Sequence, residues 1–345
     1  MTPSMQNAKK QSSPQKPAGK PRLLTGDRTT GRLHLGHYVG SLQARVQLQN
    51  DYSEIILLAD VQALTTHFQQ PELIRQSIYD VALDNLAAGL DPQRVLFAQQ
   101  SRIGPIAELT VFYSMLVTVN TLRHNPTIKT EAAQYGYQDM TYGFLGYPVS
   151  QAADITFCSA QAVPVGEDQL PHLELCRKLV RRFADLYGPV LTEPQPLLSA
   201  CPRLKGLDGG GKMGKSLGNA VYLSDPPTLV EEKIRRAVTD PHRITAREPG
   251  DPAVCVVSQY HQIFNAEEYE EICSACRNGC IGCVACKNRL TRRINALLEP
   301  MRERRAYYEA HLDVVRELID LGSRQACHMG EETVRRVRDA MQVAL

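Results

Sequence analysis

Apolar positions in the first half of the chain follow two alternating rhythms. Glu54-Ile55-Ile56-Leu57-Leu58-Ala59-Asp60 is a nearly unbroken apolar run closed by a carboxylate, the pattern of a strand buried on both faces. Arg22 to Gly26 and Arg94 to Ala98 read as shorter strands on either side of it. Between the strands, Gly36 to about Gln49 reads as a helix. A second helix over Pro71 to Ala88 keeps Ile74, Ile78, Val81, Ala82 and Leu86 on one side before Gly89 stops it. Alternating strands and helices make a doubly wound parallel α/β sheet, with its ligand beyond the carboxyl ends of the strands. Residues 104–150 read as a helical insertion. They are followed by a helix over Val149 to Phe157, a strand over Ala162 to Val165 and a helix from Gln169 to about Phe183. A loop-rich stretch with Pro189, Pro194, Pro196 and Pro202 comes next. Beyond about Asp225 only helical patterns remain, over Glu231 to Val238, Lys287 to Leu318 and Glu331 to Met341. The expected organisation is a basic tail over 1–20, a catalytic domain over 21–218 and a helical domain over 219–345 whose last helix can pack back on the first domain.

Composition narrows the class without changing that picture. The chain has 345 residues, 43% of them hydrophobic, enough for a large core. A net charge of +2 excludes a strongly cationic binder but allows a local nucleic-acid face. No apolar run nears the roughly 20 residues that span a bilayer. The first twenty residues carry Lys9, Lys10, Lys16 and Lys20 but no Arg, no acid and no apolar stretch. They read as a solvated tail rather than a signal or mitochondrial peptide, and the expected location is the cytoplasm. Of ten cysteines, six crowd between Cys255 and Cys286. In a reducing compartment such crowding points to metal before disulfides. Cys273, Cys276, Cys283 and Cys286 have the spacing of a zinc site, with free thiols the other reading.

Two phosphate-binding signals carry the chemistry. His34-Leu35-Gly36-His37 opens the first helix after the first strand, where unpaired N–H groups attract phosphate and Gly36 permits close approach. About 180 residues later stands Lys212-Met213-Gly214-Lys215-Ser216. With Gly209 this second segment formally fits G-x-x-x-x-G-K-[ST], but no strand precedes it and Gly218 interrupts any helix, so it reads as a mobile lysine loop and not a P-loop. Nucleotidyltransferases share the H-x-G-H signal but lack such a lysine loop and a helical domain.

The pair resembles the HIGH and KMSKS motifs of class I aminoacyl-tRNA synthetases, with their Rossmann-like domain. Thr30 to Gly40, Tyr147-Pro148-Val149-Ser150-Gln151-Ala152-Ala153-Asp154-Ile155 and Val163-Pro164-Val165-Gly166-Glu167-Asp168-Gln169 are similar to segments of the tryptophanyl-tRNA synthetase family. That resemblance implies activation of L-tryptophan by ATP with Mg²⁺, transfer to tRNA(Trp), and a homodimer. It implies catalytic roles for His34, His37, Lys129, Lys212 and Lys215. ATP would meet Thr25, Gly26, Arg28, Gly36, His37, Gly166, Asp168, Met213, Lys215 and Ser216. Tryptophan would meet Leu24, Gln62, Tyr147, Gln151, Asp154, Ile155, Val163, Val165 and Gln169. In that reading Asp154 accepts the indole N–H, while Tyr147, Gln151 and Gln169 surround the ammonium. Tyrosyl-tRNA synthetase shares much of this pattern but has a first-strand tyrosine where this chain has Leu23 and Leu24. A synthetase paralogue with another role is the further alternative. Arg28 and Gln62 depart from the Gln and His common at those places. Cys255, Cys276, Cys283 and Cys286 resemble a [4Fe-4S] ligand set of some family members, with a slightly shorter first gap. Arg289, Arg292, Arg293, Arg302, Arg304 and Arg305 would approach the anticodon.

Overall fold

The computed structural model describes residues 19–198, 204–211, 213–215 and 217–344, and only the backbone of Asp168. Most of the expected tail, together with Lys212 and Ser216, lies outside the described residues. The chain runs through β1 (Arg22–Arg28), α1 (Leu35–His37), a π-helical turn (Tyr38–Leu42), α2 (Gln43–Leu48), β2 (Ser53–Ala59), α3 (Asp60–His67), α4 (Pro71–Ala88) and β3 (Val95–Gln99). The helices α5 (Gly104–Ser114), α6 (Val119–Arg123), α7 (Pro126–Tyr135) and α8 (Tyr142–Thr156) precede β4 (Ala162–Val165), α9 (Leu170–Tyr187) and β5 (Gln195–Leu198). Five α-helices follow among the described residues: α10 (Pro227–Arg236), α11 (Val256–Phe264), α12 (Tyr269–Arg277), α13 (Cys283–Ala310) and α14 (Leu312–Ala340).

The strands form one parallel sheet in the order β3-β2-β1-β4-β5. The order reverses between β1 and β4, which opens a crevice at their carboxyl ends. The continuous apolar run of β2 serves two cores. Ile56 and Leu58 join α4 and the C-terminal helices on one face, while Ile55 and Leu57 join α5, α8 and α9 on the other.

Three expectations differ from the structure. The proline-rich stretch expected as loop contains β5, because an edge strand tolerates the donor missing at Pro196. α8 begins at Tyr142 instead of Val149: the Thr141 side chain accepts from Phe144 N, and the helix continues through Pro148. The long C-terminal helix breaks at His311, whose φ of −128° and ψ of 53° leave the helical region without a Gly or Pro to mark it.

Two contacts bind the C-terminal helices to the sheet domain, one on β3 and one on α4. A Cβ on Gly322 would stand 2.2 Å from Phe97 O, so α14 lies directly on β3, and Ser323 Oγ accepts from Gln99 N at 3.0 Å. On α13, Arg305 donates to Asp80 at 2.9 Å, to Asp84, and to Glu309 at 2.8 Å, while Arg304 donates to Ala87 O at 2.7 Å. These two arginines therefore dock α13 on α4. For the buried Arg305 that packing replaces the expected place near an anticodon, while Arg304 stays exposed.

Candidate active site

The first strand and its loop are built for close approach. A Cβ on Gly26 would fall 2.4 Å from Leu57 O, which only glycine avoids. Beside it, Asp27 meets Arg45 through both oxygens, at 2.6 and 3.2 Å. Burial opposes the charge on Asp27, but Arg45 outweighs it and holds the carboxyl at about 2. Thr25 is buried, Arg28 is half-exposed, and Gly31 turns the loop with a φ of +105°.

His34 and His37 cap the helix start reciprocally. Gly36 N donates to His34 Nδ1 at 3.1 Å and His34 N donates to His37 Nδ1 at 3.2 Å. A neutral imidazole that accepts at Nδ1 carries its proton on Nε2. Both rings, 3.9 Å apart, are thus fixed as Nε2–H donors. Burial, then the neighbouring His34 and Lys215, hold His37 well below the usual imidazole range, so it stays neutral at physiological pH.

The lysine loop clasps this corner. Leu35 N donates to Val221 O at 2.9 Å and Leu223 N to Leu33 O at 3.0 Å, bracketing a bridge between His34 and Tyr222. Tyr222 Oη donates to Lys215 O at 3.1 Å, and Asn219 Oδ1 accepts from Gly214 N at 3.0 Å. Met213 is buried against Gly36. Lys215 Nζ donates to Gly31 O at 2.6 Å, joining the two ends of the catalytic chain segment. Among the described residues no helix opens here; the next begins at Pro227, as expected for a loop that is not a P-loop.

Burial lowers the Lys215 ammonium to about 8, with Asp27 and Asp84 pulling it back up. If the charged form holds a leaving phosphate, kcat/KM for ATP will be high below that value and fall as pH rises through about 8. A flat profile between pH 7 and 9.5 would remove the charge from that role.

On α8, Tyr147, Gln151 and Asp154 share one face. Asp154 is buried, and both its oxygens accept from Gln100 Nε2, at 2.8 and 2.9 Å. Burial raises it to about 7, the Gln100 bonds lower it and Asp60 raises it further. Gln100 Oε1 also accepts from Gln62 N at 3.0 Å, linking α3 to α8. Gln151 Oε1 is buried without a partner among the described residues. Leu24, Ile155, Val163 and Val165 lie in the adjacent apolar core. A cavity of about 560 Å³ between α3, α5 and α8 takes in Gln62 and Tyr147 and is otherwise mostly apolar; the other seven expected tryptophan contacts do not line it.

Gly166 caps the short turn Glu167–Gln169 at the end of β4, next to β1. Lys129 is exposed on α7, two residues from Glu131. Reading the sequence missed Gln100, Glu131 and His172. Each is a single polar residue in a polar or helical context, with no spacing to mark it.

The thiols of Cys255, Cys273, Cys276, Cys283 and Cys286 are close enough to influence one another, and three of them have other polar neighbours. Cys276 Sγ lies 3.7 Å from Arg243, Cys286 Sγ 3.4 Å from His261 Nε2 and Cys273 Sγ 3.8 Å from Ser258 Oγ. Burial, and then neighbouring cysteines, push Cys286 up to about 12. Among the described residues no three His, Cys, Asp or Glu side chains are grouped to hold a metal.

The family of tRNA synthetases class I (W and Y) matches residues 16–299. The tryptophan–tRNA ligase of Lactococcus lactis is 45% identical over 335 residues, covering 94% of this chain and 98% of that protein. The tryptophan–tRNA ligase of Clostridium longisporum is 44% identical, covering 93% and 96%. The chain belongs to the bacterial-type tryptophanyl-tRNA synthetases. The synthetase also superposes on the tryptophanyl-tRNA synthetase of Campylobacter jejuni complexed with ADP and tryptophan. That match has a TM-score of 0.82 at 26% identity and covers 93% of this chain and 99% of the other.

Proposed function

We propose that the crevice beyond β1 and β4 activates tryptophan with ATP. The chain is a tryptophan–tRNA ligase: the tryptophan carboxylate attacks the α-phosphate, pyrophosphate leaves, and a terminal ribose hydroxyl of tRNA(Trp) then takes the acyl group. The bond from Lys215 Nζ to Gly31 O carries the residue assignment, because it brings the lysine loop onto the histidine loop. His34 and His37 donate from Nε2 to phosphate oxygens as charge develops there. Lys215, with Lys212, holds the departing pyrophosphate, and Lys129 adds a cation from α7. Thr25, Gly26, Arg28, Gly36, Met213 and Ser216 border the nucleotide, and Gly166 and Asp168 its ribose. Mg²⁺ would arrive with the triphosphate, as no protein group assembled for a cation occurs among the described residues.

Asp154, anchored by Gln100, accepts the indole N–H. Leu24, Gln62, Ile155, Val163 and Val165 form the apolar slot. Tyr147, Gln151 and Gln169 receive the ammonium, for which the buried Gln151 Oε1, without a partner among the described residues, is a ready acceptor. β1 offers Leu23 and Leu24 and no phenol-binding donor, which favours tryptophan over tyrosine. Charging of tRNA(Trp) with tryptophan but not tyrosine tests this assignment; equal charging with both would defeat it.

A homodimer is supported by exposed Val61, Leu64, Phe68, Val119 and Tyr142 around the cavity mouth, an apolar face suited to a second copy. No helix among the described residues is long and apolar enough to cross a membrane, and the proposed workplace is the cytoplasm, with tRNA. The [4Fe-4S] reading of Cys255, Cys276, Cys283 and Cys286 rests on spacing alone and requires the thiols to turn away from Arg243 and His261. Sedimentation of the intact protein and iron analysis of an anaerobic preparation test these two readings; a monomer or an iron-free sample rejects the respective one.

A further inference from the structure

A buried polar chain behind Tyr147 sets the direction of its hydroxyl. Tyr147 Oη lies 2.9 Å from Glu131 Oε2 and 2.7 Å from His172 Nε2. Beyond the histidine, Asn125 Nδ2 stands 3.4 Å from His172 Nδ1. Asn125 Oδ1 accepts from Thr127 N and Ile128 N as the cap of α7, which turns its NH₂ toward the ring. An NH₂ group donates, so His172 Nδ1 accepts and its proton resides on Nε2. Nε2–H then donates to Tyr147 Oη, and the tyrosine proton goes to Glu131. All three bonds point the same way and end on a carboxylate. The other carboxylate oxygen, Oε1, faces Arg28 at 3.6 Å, three residues before the Gly31 carbonyl that holds Lys215.

We propose that Glu131 is a positioning residue that draws the Tyr147 proton away from the tryptophan ammonium and, through Arg28, ties amino-acid recognition to the nucleotide loop. An ammonium has only donors, so it needs the phenolic oxygen as an acceptor with a lone pair turned toward it. A phenol without a fixed acceptor for its own proton can turn that proton at the ligand. Glu131 prevents this, and His172 keeps one lone pair occupied so that the other remains for the ammonium. The inference rests on the proposed contact between Tyr147 and the ammonium.

Calorimetric titration of L-tryptophan and of indole-3-propionate, which keeps ring and carboxylate but lacks the ammonium, separates the two ideas. With Glu131→Gln, tryptophan will bind roughly tenfold more weakly, as for loss of a charge-assisted bond, and indole-3-propionate will bind as it does to the parent. In pyrophosphate exchange the same variant will raise KM for tryptophan and keep kcat. Because Glu131 acts through Tyr147, the Glu131→Gln, Tyr147→Phe double variant will bind tryptophan no more weakly than Tyr147→Phe alone. Unchanged tryptophan affinity in Glu131→Gln, equal weakening of both ligands, or additive losses in the double variant overturns the role of Glu131. Unchanged tryptophan affinity in Tyr147→Phe overturns the ammonium contact beneath it.

Discussion

Lys215→Ala will slow tryptophan-dependent ATP–pyrophosphate exchange about a hundred- to thousandfold and leave tryptophan binding within about twofold, the scale of losing one charge-stabilising donor in a preorganised site. The lysine is half-buried and its ammonium reaches the Gly31 carbonyl, in the loop that leads to His34. Removing it takes away the cation but not the clasp, because the Leu35–Val221 and Leu223–Leu33 backbone bonds still hold the two segments together. The α8 face proposed for the amino acid is a separate element, anchored by Gln100 and Glu131. Binding and chemistry should therefore separate. Stopped-flow adenylate formation beside tryptophan titration reads both, and unchanged turnover would refute the assigned role.

Arg305→Leu will destabilise the fold by about 3–5 kcal/mol, the range for breaking a buried pair and leaving one charge behind. The guanidinium is buried and satisfies Asp80, Asp84 and Glu309 together. Asp84 is fully buried and its second oxygen accepts from Leu33 N at 2.6 Å, directly before His34. Loss of Arg305 therefore reaches the histidine loop as well as the α13–α4 contact. Arg292→Leu, on an exposed part of α13, gives the comparison and should stay within about 0.5 kcal/mol. Urea denaturation of both variants checks this; equal midpoints would mean that the Arg305 group contributes nothing to docking.

Where burial is two-sided, the pattern of residues was enough to read the fold. β2 packs against helices on both faces, so its apolar run had one reading, and Gly89 with a φ of +113° ended α4 where expected. β5 and the break at His311 escaped because their causes are not local. One is an edge strand that tolerates Pro196, and the other is a corner without a breaker residue. The site shows the same division. His34, His37, Tyr147 and Asp154 stand at spacings that imply a shared face, and they can be picked out before any coordinates. Gln100 and His172 reach their partners across 54 and 25 residues, which no periodicity reveals. Arg305 looks like any arginine of a charged helix until Asp84 is seen beneath it.

Tryptophan-dependent ATP–pyrophosphate exchange by the purified chain tests the central claim most directly. Exchange stimulated by tryptophan and not by tyrosine is the result predicted by a crevice that joins His34, His37 and Lys215, beside the apolar slot and Asp154 proposed to hold the indole. No exchange with either amino acid, or equal exchange with both, would contradict it.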